Sequence, residues 1–133
     1  MLRVEHIGIA VKSLDISIPL FEKLLNAPCY KQEVIGSEQV QTAFFQQGET
    51  KIELLESMLP GSIIERFINK RGEGIHHIAF EVADIKAEMK RLSEEGFTLL
   101  QQEPTLGADN KLVCFLHPKT TNGVLIELCQ EIK

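Results

Sequence analysis

Two histidine–glutamate sets recur along this 133-residue chain in matching local settings. His6 opens the run His6-Ile-Gly-Ile-Ala-Val11, and His77 opens His77-Ile-Ala-Phe-Glu-Val82; each is followed by Ile at once and by Val five residues on. Glu53 stands in Lys51-Ile-Glu-Leu-Leu55 and Glu127 in Val124-Leu-Ile-Glu-Leu-Cys129, with Ile-Glu-Leu common to both. The histidines are 71 residues apart, from 6 to 77, and the glutamates 74, from 53 to 127. Two imidazoles and two carboxylates suit an octahedral divalent metal with two positions left open. Co, Mn, Ni, Fe, Mg and Zn all accept such donors, and affinity order alone does not choose among them. A lone strand histidine is more often a hydrogen-bonded structural residue, and a lone strand glutamate a solvated one. Recurrence of both at the same places is what favours a metal site.

These residues need strands to present them. Glu53 lies between Ile52 and Leu54, and Glu127 between Ile126 and Leu128. With a period of two, the apolar neighbours point to the opposite face. Ile7 and Ile78 flank His6 and His77 in the same manner. Strands are expected at 6–11, 29–35, 39–46 and 51–55, then at 75–82, 97–102, 111–117 and 123–129. A first helix falls at about 15–25, where Pro19 is tolerated only if the helix starts late, near 15–17, and otherwise kinks it. Asp84 caps a second helix running to about Glu95 and ended by Gly96, with Ile85, Met89 and Leu92 as its apolar face. Ser62-Ile-Ile-Glu65 reads as a capping box opening a short helix to about Lys70. The predicted class is α+β: a single domain over 1–133 of two tandem β-α-β-β-β modules, module one at about 1–60, a connecting helix at about 62–71 and module two at about 74–133.

Composition narrows the function classes. Hydrophobic residues make up 44% of the chain and charged ones 25%, so a packed core is expected and disorder is not. A net charge of −5 argues against nucleic-acid or anionic-membrane binding, while a local cation could still reverse the field within a pocket. Three cysteines with no Cys-x-x-Cys pair indicate neither a disulfide framework nor a zinc ribbon; reduced thiols in a cytoplasmic protein are expected. The apolar run 7–11 is too short and too early for a signal peptide, and nothing approaches the roughly 20 apolar residues of a membrane span.

This layout resembles the vicinal-oxygen-chelate, or glyoxalase-like, superfamily, whose paired β-α-β-β-β modules form curved mixed sheets around a metal-binding cleft. Within it the chain is similar to the methylmalonyl-CoA epimerases. The resemblance spans nearly the whole chain and rests on His6-Ile-Gly-Ile-Ala-Val11, Thr50-Lys-Ile-Glu-Leu-Leu-Glu56, Gly74-Ile-His-His-Ile-Ala79, Glu103-Pro104 with Gly107, and Phe115-Leu-His-Pro-Lys119 leading into Gly123-Val-Leu-Ile-Glu-Leu128. It implies His6, Glu53, His77 and Glu127 as metal ligands; Gln replaces Glu at the Glu53 position in some members. Of His76-His77, the second matches the ligand. His76 and His117 are left as structural or supporting residues.

The activity implied is interconversion of (2R)- and (2S)-methylmalonyl-CoA by metal-assisted proton transfer at C2 through an enolate. Chelated substrate oxygens would stabilise the enolate, and inversion needs a proton removed from one face and delivered to the other. Glu127 is the expected base. Lys51, Glu38 or a water would serve the opposite face, because Thr42 stands where some epimerases carry a second catalytic Glu. Lys119 and Lys111 are expected near the coenzyme A phosphates of an acyl-CoA thioester, and a homodimer is the family expectation. The alternatives are a glyoxalase I-type lactoylglutathione lyase and, from another class, a metal-free drug-binding protein. The turn 117–123, His-Pro-Lys-Thr-Thr-Asn-Gly, differs from the Asp-Pro-x-Gly style of glyoxalases, and metal-free binders lose ligands that all stand here.

Overall fold

A computed structural model of the chain describes residues Met1–Ile132; Lys133, at the end of the range expected for module two, lies outside the described residues. The described chain falls into two compact units, one of Met1–Glu5 with the stretch from His77 onward, the other of His6–His76. Strand β1 (Arg3–Ala10) and strand β5 (Gly74–Glu81) each contribute residues to both.

In the His6–His76 unit, β1 leads through α1 (Leu14–Leu25) to β2 (Lys31–Ile35), β3 (Val40–Gln47) and β4 (Thr50–Ser57), then to α2 (Ile63–Arg71). The strands β2, β3 and β4 pair antiparallel in sequence, and β4 takes β1 as a parallel neighbour. A parallel pair needs a crossover, and α1 lies within that connection, closing one face of the sheet. Val11, Leu14, Ala43, Phe45 and Leu54 are buried there, with Ile9, Ile18, Phe21 and Leu25 around them. Each fully buried side chain of this size contributes about 1.5–3 kcal/mol relative to exposure.

The α1 boundary meets the expected 15–25 within one residue, but Pro19 is accommodated differently. The helix begins at Leu14, where Ser13 Oγ accepts the Ile16 N–H at 3.4 Å, so Pro19 stands inside it rather than in its first turn. Pro19 and Asp15 are both exposed, so the Asp15 carbonyl, which loses its N–H partner to the proline, can take its hydrogen bond from water. Ser62 caps α2 as expected, its Oγ accepting from Glu65 N at 3.1 Å, but the second arm of the capping box is shifted: the Glu65 carboxylate accepts from Gly61 N at 2.9 Å, because Ser62 N donates to the Leu59 carbonyl.

The other unit repeats the order with α3 (Ile85–Glu94), β6 (Thr105–Leu106), β7 (Lys111–Leu116) and β8 (Ile126–Glu131) after β5. Here β5 and β8 are parallel, β7 and β8 antiparallel, and β6 pairs with β7. Asp84 Oδ1 caps α3 by accepting the Ala87 N–H at 3.1 Å, and Gly96, at φ 99°, follows its end. Val82, Ile85, Met89, Leu92, Cys114, Leu116 and Leu128 form the core between α3 and the sheet.

The strand expected at 97–102 does not form. Leu99 makes a single bridge to Leu116, and Leu100 N donates to the Phe115 carbonyl at 2.9 Å. The Phe115 N–H is instead taken by the Gln101 side chain, Oε1 at 2.7 Å. A side-chain acceptor thus ends the ladder, and the two-residue β6 pairs with β7 only beyond Pro104, which has no N–H to give. The three cysteines are free thiols, Cys114 and Cys129 buried. Among the described residues no helix is long and apolar enough to cross a membrane.

Candidate functional site

Strand alternation gives each unit a second sheet face, turned away from its helix. In the His6–His76 unit this face carries His6 and Gly8 from β1, Thr42 and Phe44 from β3, and Lys51 and Glu53 from β4. His6 Nε2 lies 3.4 Å from Glu53 Oε1, and the two residues are 7% and 3% exposed. In the other unit the face carries His77 and Ala79 from β5, Val113 and Phe115 from β7, and Glu127 and Cys129 from β8. His77 Nε2 lies 3.2 Å from Glu127 Oε1, at 4% and 6% exposure.

The two arrangements correspond residue by residue. Phe44 is opposite Glu53, which is beside Gly8; Phe115 is opposite Glu127, which is beside Ala79. In both, the histidine precedes the small residue by two positions. A carboxylate taken out of water is costly unless it is paired or coordinated. Each unit buries one glutamate against one imidazole nitrogen, and this donor set fits a divalent cation.

The remaining expected residues are distributed as follows. Lys51 is half-buried on the same face as Glu53, in register with His6 on one side and Gln46 on the other. Lys119 is exposed, on the short turn of 3-10 helix Pro118–Thr120. Lys111, expected near a phosphate, is instead only 6% exposed, its Nζ 4.0 Å from the buried Glu5 carboxylate. The strand alternation that puts Val113 and Phe115 on this face puts Lys111 there too, at its buried end. Thr42 is buried, and its hydroxyl donates to the Glu33 carbonyl at 3.3 Å. His76 meets Phe67 of α2 edge-on, ring centroids 5.0 Å apart. His117 Nδ1 accepts the Lys119 N–H at 3.0 Å and so caps its own turn. Burial pushes the Cys129 thiol far up, with the Glu127 and Glu5 carboxylates adding to the shift, so it remains protonated rather than offering a thiolate.

Sequence reasoning missed Phe44 and Phe115. The Phe115 ring stands edge-on to His77, centroids 5.8 Å apart at 85°. Phe44 is buried beside Tyr30, with Lys31 Nζ 5.5 Å from its ring centre. A signal for both was available, since positions 44 and 115 are separated by the same 71 residues as the two histidines.

Comparison with known proteins agrees with this architecture. Residues 5–115 match the family described as Glyoxalase/Bleomycin resistance protein/Dioxygenase superfamily. The chain is 38% identical over 130 residues to the uncharacterized protein YqjC of Bacillus subtilis (strain 168), covering 98% of this chain and 93% of that one. It is 41% identical over 130 residues to the ethylmalonyl-CoA/methylmalonyl-CoA epimerase of Cereibacter sphaeroides, covering 96% and 97%. The crystal structure of methylmalonyl-CoA epimerase from Mycobacterium tuberculosis superposes with a TM-score of 0.94 at 31% identity, over 98% of this chain and 89% of that one. With its two β-α-β-β-β modules and the His–Glu pair repeated in each, the chain belongs to the glyoxalase/bleomycin resistance/dioxygenase superfamily and, within it, to the methylmalonyl-CoA epimerase family of isomerases.

Proposed function

We propose that this chain interconverts (2R)- and (2S)-methylmalonyl-CoA, and that His6, Glu53, His77 and Glu127 together hold one divalent metal for the purpose. The observation that carries the reading is the duplicated buried His–Glu pair, with a phenylalanine opposite the glutamate and a small residue beside it in both units. Two imidazoles and two carboxylates, one of each from each unit, would hold a divalent cation. A cation bound there would act as a Lewis acid toward the enolate formed when C2 loses its proton.

The protein's own residues do the rest. Glu127 takes the C2 proton, and its burial keeps water from competing for that proton. The enolate is planar at C2, so that carbon is open to reprotonation on either face. Lys51, placed two residues from Glu53 on the same face, delivers the proton from the other side. Lys119, on its exposed turn, meets a coenzyme A phosphate. The reading includes a cytoplasmic homodimer, which would bury the exposed apolar stripe Ile16, Leu20 and Leu24 of α1; sedimentation velocity tests that part.

The experiment is incubation of the protein with (2S)-methylmalonyl-CoA in deuterated buffer, with and without chelator, following C2 exchange and inversion by NMR. Chelator-sensitive exchange with inversion is expected. No exchange with any added divalent metal would remove the reading and turn attention to glutathione hemithioacetals and then to drug ligands.

A further inference from the structure

We infer that Phe115, clamped through its backbone by Gln101, is a positioning residue that fixes the His77 imidazole and the Glu127 carboxylate in their mutual geometry; the inference rests on the metal-site reading above. Phe115 lies on β7 and His77 on β5, with β8 between them. Two strand spacings separate their backbones by roughly 10 Å, yet their ring centroids are 5.8 Å apart. The contact therefore passes diagonally over β8, from the level of Glu127, directly opposite Phe115, toward His77, two residues before the Ala79 that stands beside Glu127. Glu127 Oε1 lies 3.2 Å from His77 Nε2, so one imidazole meets both the Phe115 ring and the carboxylate. The 85° interplanar angle is the edge-to-face arrangement that aromatic pairs favour, and it opposes rotation of the imidazole about its Cβ–Cγ bond.

The clamp explains why Gln101 interrupts the ladder. Phe115 has both backbone groups held from the 97–102 segment: its carbonyl by Leu100 N at 2.9 Å and its N–H by the Gln101 side-chain oxygen at 2.7 Å. A regular strand would satisfy the same N–H from a backbone carbonyl. Here a side chain does it, so Gln101 sets the backbone height of Phe115 over the face. Ala79, Val113 and Cys129 fill the same side of the sheet beside Phe115. Ala79 and Cys129 are fully buried, so the ring cannot withdraw in that direction.

The test compares Phe115→Leu, Gln101→Leu and Gln101→Glu with the unaltered protein, all first shown by thermal melting to be folded. The first measurement is the 1H–15N spectrum of the His77 imidazole in metal-free protein; the second is Co2+ affinity by competition with a chromogenic chelator. Phe115→Leu is expected to exchange-broaden the His77 signals and to weaken Co2+ binding about tenfold, the lower end of what loss of a ligand-orienting neighbour costs. Gln101→Leu should move both in the same direction, and Gln101→Glu, which keeps an acceptor oxygen for the Phe115 N–H, should restore them. Sharp, unshifted His77 signals and an unchanged Co2+ affinity in Phe115→Leu would overturn the inference. A His77→Ala control separates the two levels. If it binds Co2+ as well as the unaltered protein, the metal reading fails, while the imidazole spectrum still decides whether Phe115 orients His77.

Discussion

Glu127 and Glu53 are geometric equivalents, and changing each to glutamine separates metal holding from proton transfer. Both are buried, both lie within 3.4 Å of an imidazole Nε2, and both stand opposite a phenylalanine. Glutamine keeps the volume, keeps one carbonyl oxygen for a cation or for the imidazole N–H, and removes the basic lone pair. If both glutamates only hold the metal, the two substitutions should cost the same. If Glu127 also takes the C2 proton, Glu127→Gln loses the general-base contribution, about 10²–10⁴-fold in kcat. At about 1.4 kcal/mol per tenfold, that is roughly 3–5 kcal/mol of transition-state stabilisation. Glu53→Gln should stay within about tenfold, the scale of a weakened ligand. Thermal melting of metal-free Glu127→Gln, whose side chain keeps the volume of glutamate, checks that the fold survives. The assay is C2 deuterium exchange and inversion at saturating metal, with metal content verified. A Glu127→Gln protein within threefold of normal kcat, or a Glu53→Gln protein as impaired as Glu127→Gln, would refute the assigned division of roles.

Two further outcomes follow from the same structure. A divalent metal at one hundred times its dissociation constant should raise stability by about 2.7 kcal/mol, read as an upward shift in melting temperature that a chelator abolishes; a melting curve indifferent to every divalent metal would count against the four-ligand site. Burial raises the Cys129 thiol above the value of about 9 for an exposed cysteine, so the folded state holds that proton more tightly than the unfolded one. The resulting stabilisation is complete below about pH 9 and is lost as the pH rises through and beyond it. Cys129→Ala should therefore lose less stability between pH 8 and pH 10 than the unaltered protein, by urea unfolding. Equal losses would show that Cys129 does not govern the alkaline limb.

The His–Glu pairs were legible in the sequence because their signal is local. Ile-Glu-Leu on a strand fixes which way the glutamate points, and the alternation needs no knowledge of the partner strand. The caps at Ser62 and Asp84 were legible for the same reason, since each closes within three residues. The setting of Pro19 within α1 and the 97–102 segment were not. Pro19 is accommodated by solvent on the outer side of the helix, which depends on how α1 lies on its sheet. The Gln101 bond to Phe115 spans 14 residues and replaces a ladder contact that the local pattern of branched and apolar residues suggests.

The two offsets carry a further step. The histidines and the phenylalanines repeat at 71 residues but the glutamates at 74, which looks like an imperfect duplication. Register resolves the difference. Phe45 pairs with Ile52, leaving six residues between them; the corresponding pair, Leu116 and Ile126, leaves nine. The three additional residues are absorbed in the connection that carries His117 to Leu125, and both ladders still deliver a phenylalanine opposite its glutamate. Because a slip of one residue would turn every side chain on a strand to the wrong face, the length change could be tolerated only outside the paired segments. The turn it enlarges is also the one that bears Lys119. The two His–Glu pairs thus keep closely similar separations, 3.4 and 3.2 Å, while the length difference is confined to a connection outside the paired segments.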